Sequence, residues 1–206
     1  MKTSSHASKI LRLAAAIALL GHGAAASAQA LDDAALQELG TRFDAIQPRM
    51  VAWRRDIHQH PELSGQEVRT AALVADHLRA LGMEVRTGVG GHGVVSLLQG
   101  GRPGKVVALR ADMDALPVAE VTGLPFASRV KQINMGVESP VMHACGHDGH
   151  TAMLMAVAEV LAGMREQIPG TVKFVFQPSE EGTSTPPEPG KSWGAKAMVE
   201  DGVLDN

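Results

Sequence analysis

The eight residues from His143 to His150 hold three of the nine histidines, the single cysteine and one aspartate of a 206-residue chain. A thiolate and neutral imidazoles are zinc ligands, and the same set accepts manganese, cobalt or nickel. Cys145 and His147, two apart, can fall on one side of an extended segment, while His147 and His150 are spaced like neighbours on a first helical turn. Gly146 and Gly149 let the backbone bend close to an ion. The competing reading is a buried cysteine beside a histidine-rich helix cap. Support for the metal comes further along the chain. Thr171 to Gln177 is a β-rich run that delivers Pro178-Ser179-Glu180-Glu181-Gly182, a carboxylate pair just past a strand, where α/β enzymes keep their ligands. Any fold for this chain has to bring these two segments together.

The first thirty residues read as an address rather than as fold. Lys2, Lys9 and Arg12 make a basic start, Leu13 to Leu20 an apolar core too short to span a bilayer, and Ala26-Ser27-Ala28 or Ala28-Gln29-Ala30 a small-residue cleavage site. Residues 1–30 are therefore expected to be a secretory signal peptide, with an uncleaved anchor as the rival, and the protein is expected to be periplasmic or secreted. Cleavage removes three basic residues and no acidic one, taking the formal charge from −3 to −6. The mildly acidic remainder has no basic stripe for nucleic acid. No other stretch approaches a membrane span, so no membrane contact is expected after cleavage. A lone cysteine cannot form an internal disulfide, which leaves Cys145 as a free thiol or a ligand in an oxidising compartment.

Residues 31–206 are enough for one domain with a real core. Leu31 to about Gln59 is helical in pattern, and Pro48 is expected to break or restart it. After a turn at His60-Pro61-Glu62-Leu63, Ser64 and Glu67 fit a capping box opening a helix that runs to Leu81 and is closed by Gly82. Met83 to Thr87, Gly93 to Leu98 and Lys105 to Arg110 read as strands, the last with the continuous apolar character of a buried central strand. That strand ends in Asp112 and Asp114, two carboxylates that can face a cation together or simply sit in a solvated turn. A helix follows from Asp148 to about Arg165, an irregular loop covers Thr183 to Lys191, and Ala195 to Asp201 reads as a last helix. Strands alternating with helices predict an α/β domain of three layers, a mostly parallel mixed sheet flanked by helices.

Hydrolysis of an amide asks for an acidified water, a polarised carbonyl and a base that takes the water's proton and returns it to the leaving amine. Adjacent Glu180 and Glu181 can divide such work, one ligating and one staying free. A Cys145 thiol nucleophile is the other mechanism. It leaves Asp112, Asp114, Glu180 and Glu181 without a purpose.

Four segments then carry a resemblance: Trp53 to Leu63, Arg110 to Pro117, His143 to Asp148, and Gln177 to Gly182. In this order they resemble the amidohydrolase branch of the aminoacylase and carboxypeptidase superfamily, which includes hippurate hydrolase, plant auxin-conjugate hydrolases and bacterial N-acetyl-diaminopimelate deacetylases. The similarity runs from about Phe43 to Asn206. It implies a fold of the zinc exopeptidase type and a centre of two divalent ions, zinc or manganese first, cobalt or nickel as alternatives. It implies hydrolysis of small N-acyl amino acids. Carried over by motif, Cys145, His147 and Glu181 are metal ligands, Glu180 is the general base, and Asp114 orients a ligand or the base. Asp112 stands where related peptidases carry a metal-binding histidine and is a supporting residue only; His150 supports the helix start, and His58 and His60 are structural.

Members of this family continue with a further histidine ligand, a lid or dimerisation domain, and the rest of the catalytic domain with a final histidine. Residues 31–206 are thus expected to be the N-terminal part of the catalytic domain, with a homodimer possible for the longer form. The alternatives are a metallo-carboxypeptidase or dipeptidase of the same superfamily and a non-catalytic metal-binding fragment.

Overall fold

The structure is a computed structural model that describes residues 33–186 and 188–205. The expected signal peptide lies outside the described residues. The chain divides into residues 1–38 and 39–206. The described part of the first is the opening of helix α1 (Asp33–Gln59); the second holds the rest of α1 and every other described element. Pro48 lies inside α1 rather than ending it. The carbonyl four residues back belongs to Asp44, and both residues are exposed, so the freed acceptor is open to solvent and the helix can continue.

Helix α2 (Val68–Ala80) buries Ala71, Val74, Ala75 and Leu78, the three-and-four spacing of one helical face. Its start is not the expected capping box. The Glu62 carboxylate accepts the free N–H groups of Arg69 and Thr70 at 2.8 and 2.7 Å, and Ser64 and Glu67 turn inward to the centre described below. In chain order there follow β1 (Glu84–Val89), β2 (Gly93–Gln99), β3 (Arg102–Asp112), a separate antiparallel hairpin of β4 (Lys131–Asn134) and β5 (Val137–Pro140), helix α3 (His147–Ala162), β6 (Pro169–Gln177) and helix α4 (Gly194–Glu200).

The main sheet has the order β1-β2-β6-β3. It is mixed: β1 with β2 and β2 with β6 are antiparallel, and β3 with β6 is parallel. The β1–β2 connection, through Gly90 and Gly91 at φ 63° and 107°, is too short for a crossover, which fixes that pair as antiparallel. Alternate residues of β6 serve opposite faces. Val172, Phe174 and Phe176 form a core with Val74 and Leu78 of α2 and Met155 of α3. Val175 packs on Val89, Val95 and Met198 of α4. Helices therefore flank the sheet on both sides. Phe174 and Phe176 are 0% exposed, and burial of each stabilises the fold by roughly 1.5–3 kcal/mol.

Strand β3 is the correction to the expectation of a buried central strand. Among the described strands it lies at an edge, with Val106 and Val107 44% and 56% exposed. An apolar run records that a strand suits burial, not which side its partners come from. What matters for the site is its direction. Because β3 and β6 are parallel and Asp112 pairs with Gln177, the segments that follow both strands emerge side by side.

Candidate metal centre

Asp112 and Asp114 leave β3, Ser179 to Glu181 leave β6, and His147 and His150 open α3. Cys145, His147 and Glu181 each offer a ligand atom, all within 4.8 Å of one another, and Asp112, His147 and His150 do the same. His147 Nδ1 lies 2.8 Å from the Asp114 carbonyl oxygen, a backbone hydrogen bond that fixes which ring nitrogen stays free. The free Nε2 lies 3.6 Å from Asp112 Oδ1 and 3.9 Å from both Glu180 Oε2 and Glu181 Oε1. One nitrogen binds one ion, so the two groups are alternative settings around His147 rather than two finished sites.

Asp114 sits behind the centre. Its Oδ2 accepts from Ser64 Oγ at 2.6 Å and from the Glu181 N–H at 2.9 Å, while Oδ1 is buried without a hydrogen bond and stands 3.3 Å from His147 Nδ1. Burial works against its charge, but His147, Ser64 and the Glu181 and Glu180 N–H groups hold the carboxyl below its usual range. Asp112 is paired with Arg110 Nη1 at 3.0 Å and His150 Nδ1 at 2.7 Å.

The field here is strongly negative. Burial alone pulls the His147 imidazole down, yet the adjacent Asp114 carboxylate, the Asp112 charge and the hydrogen bond to the Asp114 carbonyl push it up to about 9. The Glu181 carboxylate beside Cys145 holds that thiol above its ordinary value. A divalent cation held by these residues would displace those protons and leave an imidazole and a thiolate as ligands. Sulfur, nitrogen and carboxylate oxygen within one ion's reach fit zinc and its first-row neighbours.

The structure thus gathers Cys145, His147 and Glu181, places Glu180 at their edge with its side chain 41% exposed, and puts Asp114 behind. Asp112, expected only as a supporting residue, and His150, expected to support the helix start, also lie with His147 in a group of possible donors. Asp148 faces away: its Oδ2 lies 2.7 Å from both Arg54 Nε and His58 Nδ1, and His58 Nε2 lies 3.2 Å from Glu120. His143 is buried with neither ring nitrogen partnered, and burial pushes it down to about 4. Sequence reasoning missed Ser64 and Glu67, whose Ser-x-x-Glu spacing imitates a helix cap.

Glu67 is 0% exposed, and burial, reinforced by the Asp114 charge, raises its carboxyl from 4.5 to about 7 against backbone hydrogen bonds that oppose the rise. Above pH 4.5 the unfolded chain loses this proton while the folded one keeps it, so stability falls as pH rises and levels off past about 7. Relative to Glu67→Gln, the wild type is expected to lose about 3 kcal/mol across that window. Urea unfolding at a series of pH values checks this, and parallel profiles for the two proteins contradict it.

Residues 108–206 match the sequence family described as Peptidase family M20/M25/M40. The chain is 48% identical over 171 residues to thermostable carboxypeptidase 1 of Saccharolobus solfataricus, covering 82% of this chain and 40% of that protein. It is 43% identical over 169 residues to an N-acyl-L-amino acid amidohydrolase of Geobacillus stearothermophilus, covering 82% and 41%. A dinuclear metal-binding M20 peptidase from Bacillus subtilis superposes with a TM-score of 0.66 at 40% identity, over 79% of this chain and 41% of that one. The chain spans about two fifths of the length of these relatives. These matches identify residues 108–206 as a domain of the M20/M25/M40 peptidase family.

Proposed function

We propose that the chain serves a metal-dependent amidohydrolase that splits N-acyl amino acids into a carboxylate and a free amino acid. The observation that carries this reading is the Cys145, His147 and Glu181 group with Glu180 beside it and outside it. Cys145, His147 and Glu181 would hold the divalent ions, zinc or manganese first, with Asp112 and His150 as further donors. Bound there, such ions acidify water and polarise an amide carbonyl. Glu180 accepts the proton of the attacking water and returns it to the leaving amine. Asp114 holds His147 by its carbonyl, leaving Nε2 for ligation, and through its carboxylate holds the Glu181 backbone. The similarity to amidohydrolases and to a dinuclear peptidase supports both the reaction class and the two ions. Export to the periplasm or medium and a homodimer of a longer form are part of the same proposal.

The second reading, a carboxypeptidase, is favoured by the likeness to the Saccharolobus protein. The test is hydrolysis of N-acetyl and N-benzoyl amino acids beside N-blocked dipeptides, before and after chelation and after return of zinc or manganese. The expected result is release of free amino acid from the acylated substrates, lost with chelator and restored by metal. Preference for the blocked dipeptides favours the carboxypeptidase; metal binding without turnover favours a non-catalytic fragment.

A further inference from the structure

The turn that carries Glu180 and Glu181 is held in an unusual way. Ser179, just before it, has φ 52°, a left-handed conformation that non-glycine residues seldom adopt. On one side Gly194 approaches so closely that a Cβ on it would lie 2.5 Å from the Ser179 carbonyl oxygen. On another, Ser179 borders a cavity of about 630 Å³ lined also by Ser64, Gly65 and Thr183 among others. The holding contact comes from the opening of α2. Glu67 Oε1 accepts the Ser179 N–H at 2.7 Å, with Ser179 Oγ at 3.5 Å.

The same short segment reaches the far side of the turn. The Ser64 carbonyl oxygen accepts the Ser184 N–H at 3.2 Å and its hydroxyl at 2.6 Å. Gln66 Nε2 donates to Ser184 Oγ at 2.7 Å. Ser64 Oγ also donates to Asp114, whose Oδ2 holds the Glu181 N–H. Residues 64–67 thus grip the chain before and after the two glutamates. Of these contacts, only the one from Glu67 fixes the residue in the left-handed turn.

We propose that Glu67 is the positioning residue of this centre: its buried carboxyl holds the Ser179 N–H and thereby sets where Glu180 and Glu181 reach His147. Glu67 touches no ligand and acts only through the turn. A buried carboxyl spent on a backbone N–H costs the fold, as its raised proton affinity shows, and that cost is understandable if the turn must be fixed. The inference rests on Glu180 and Glu181 being the working part of the proposed hydrolase, but the contact itself exists without metal or substrate.

The test is amide hydrogen exchange in the metal-free protein, comparing wild type, Glu67→Met, which fills the space without an acceptor, and Glu67→Gln, which keeps an acceptor oxygen. In Glu67→Met, exchange at Ser179 and Glu181 is expected to accelerate at least about tenfold, with Val172 to Phe176 of β6 unchanged, and Glu67→Gln is expected to restore most of the protection. A Co²⁺ titration followed by absorbance is expected to show the same order, weakened in Glu67→Met and recovered in Glu67→Gln. Unchanged exchange at Ser179 and Glu181 in Glu67→Met overturns the proposal. So does equal loss of protection across β6, or failure to fold, because Glu67 would then be an element of the fold alone. If exchange responds as expected while no acylated substrate is cleaved, the positioning stands and the hydrolase reading falls.

Discussion

Replacing Glu180 with glutamine is expected to lower turnover of N-acyl amino acids by about 10²–10⁴-fold, the range ascribed to a positioned general base, with bound metal unchanged. Glu181 belongs to the donor group with Cys145 and His147, and its backbone is tied to Asp114. Glu180 is the more exposed of the pair, 41% against 23%, and its carboxylate stands 3.9 Å from His147 Nε2 outside that group. Glutamine keeps the shape and cannot take a proton. Steady-state kinetics with elemental analysis of the same preparation separate the roles: metal lost along with activity makes Glu180 a ligand, and activity retained moves the base elsewhere.

Replacing His147 with alanine is expected to have the largest effect on metal binding, weakening it by more than about 100-fold, beyond what loss of a residue that merely orients a ligand costs. His147 is common to both donor groups, so its loss disables whichever one an ion uses. Its ring is also fixed before any ion arrives, through the 2.8 Å bond to the Asp114 carbonyl oxygen, so no other imidazole in the cluster replaces it: His150 is already engaged with Asp112 at 2.7 Å and half exposed. A thermal shift on adding zinc, present in the wild type by mass action and absent in His147→Ala, checks this. An equal shift in both proteins contradicts it.

The site was readable in the sequence where its chemistry is local. Cys145, His147, Glu180 and Glu181 advertise themselves by residue type, and the apolar runs ahead of Asp112 and Ser179 mark them as strand ends. The parallel register that pairs Asp112 with Gln177 then brings two distant motifs together, as strand ends in an α/β sheet do. What stayed hidden depends on tertiary partners. Ser64 and Glu67 have the spacing of a helix cap, yet Asp114 and Ser179 compete for their side chains and win. Pro48 reads as a breaker, but its exposed setting leaves the freed acceptor open to solvent. The β4–β5 hairpin turns at Met135 and Gly136, φ 50° and 83°, inside a stretch with weak alternation. The apolar character of β3 was plain, but its place at the edge among the described strands was not, because edge and centre differ in neighbours rather than in composition.

The proposed function depends on the loop of Cys145 and His147 and the turn of Glu181 forming a metal centre. Elemental mass spectrometry of the purified chain, beside Cys145→Ala and with circular dichroism to establish that both are folded, addresses it. The expected result is about one or two ions per wild-type chain, lost or much reduced in the variant. A folded wild type without metal, or a variant with undiminished content, contradicts it.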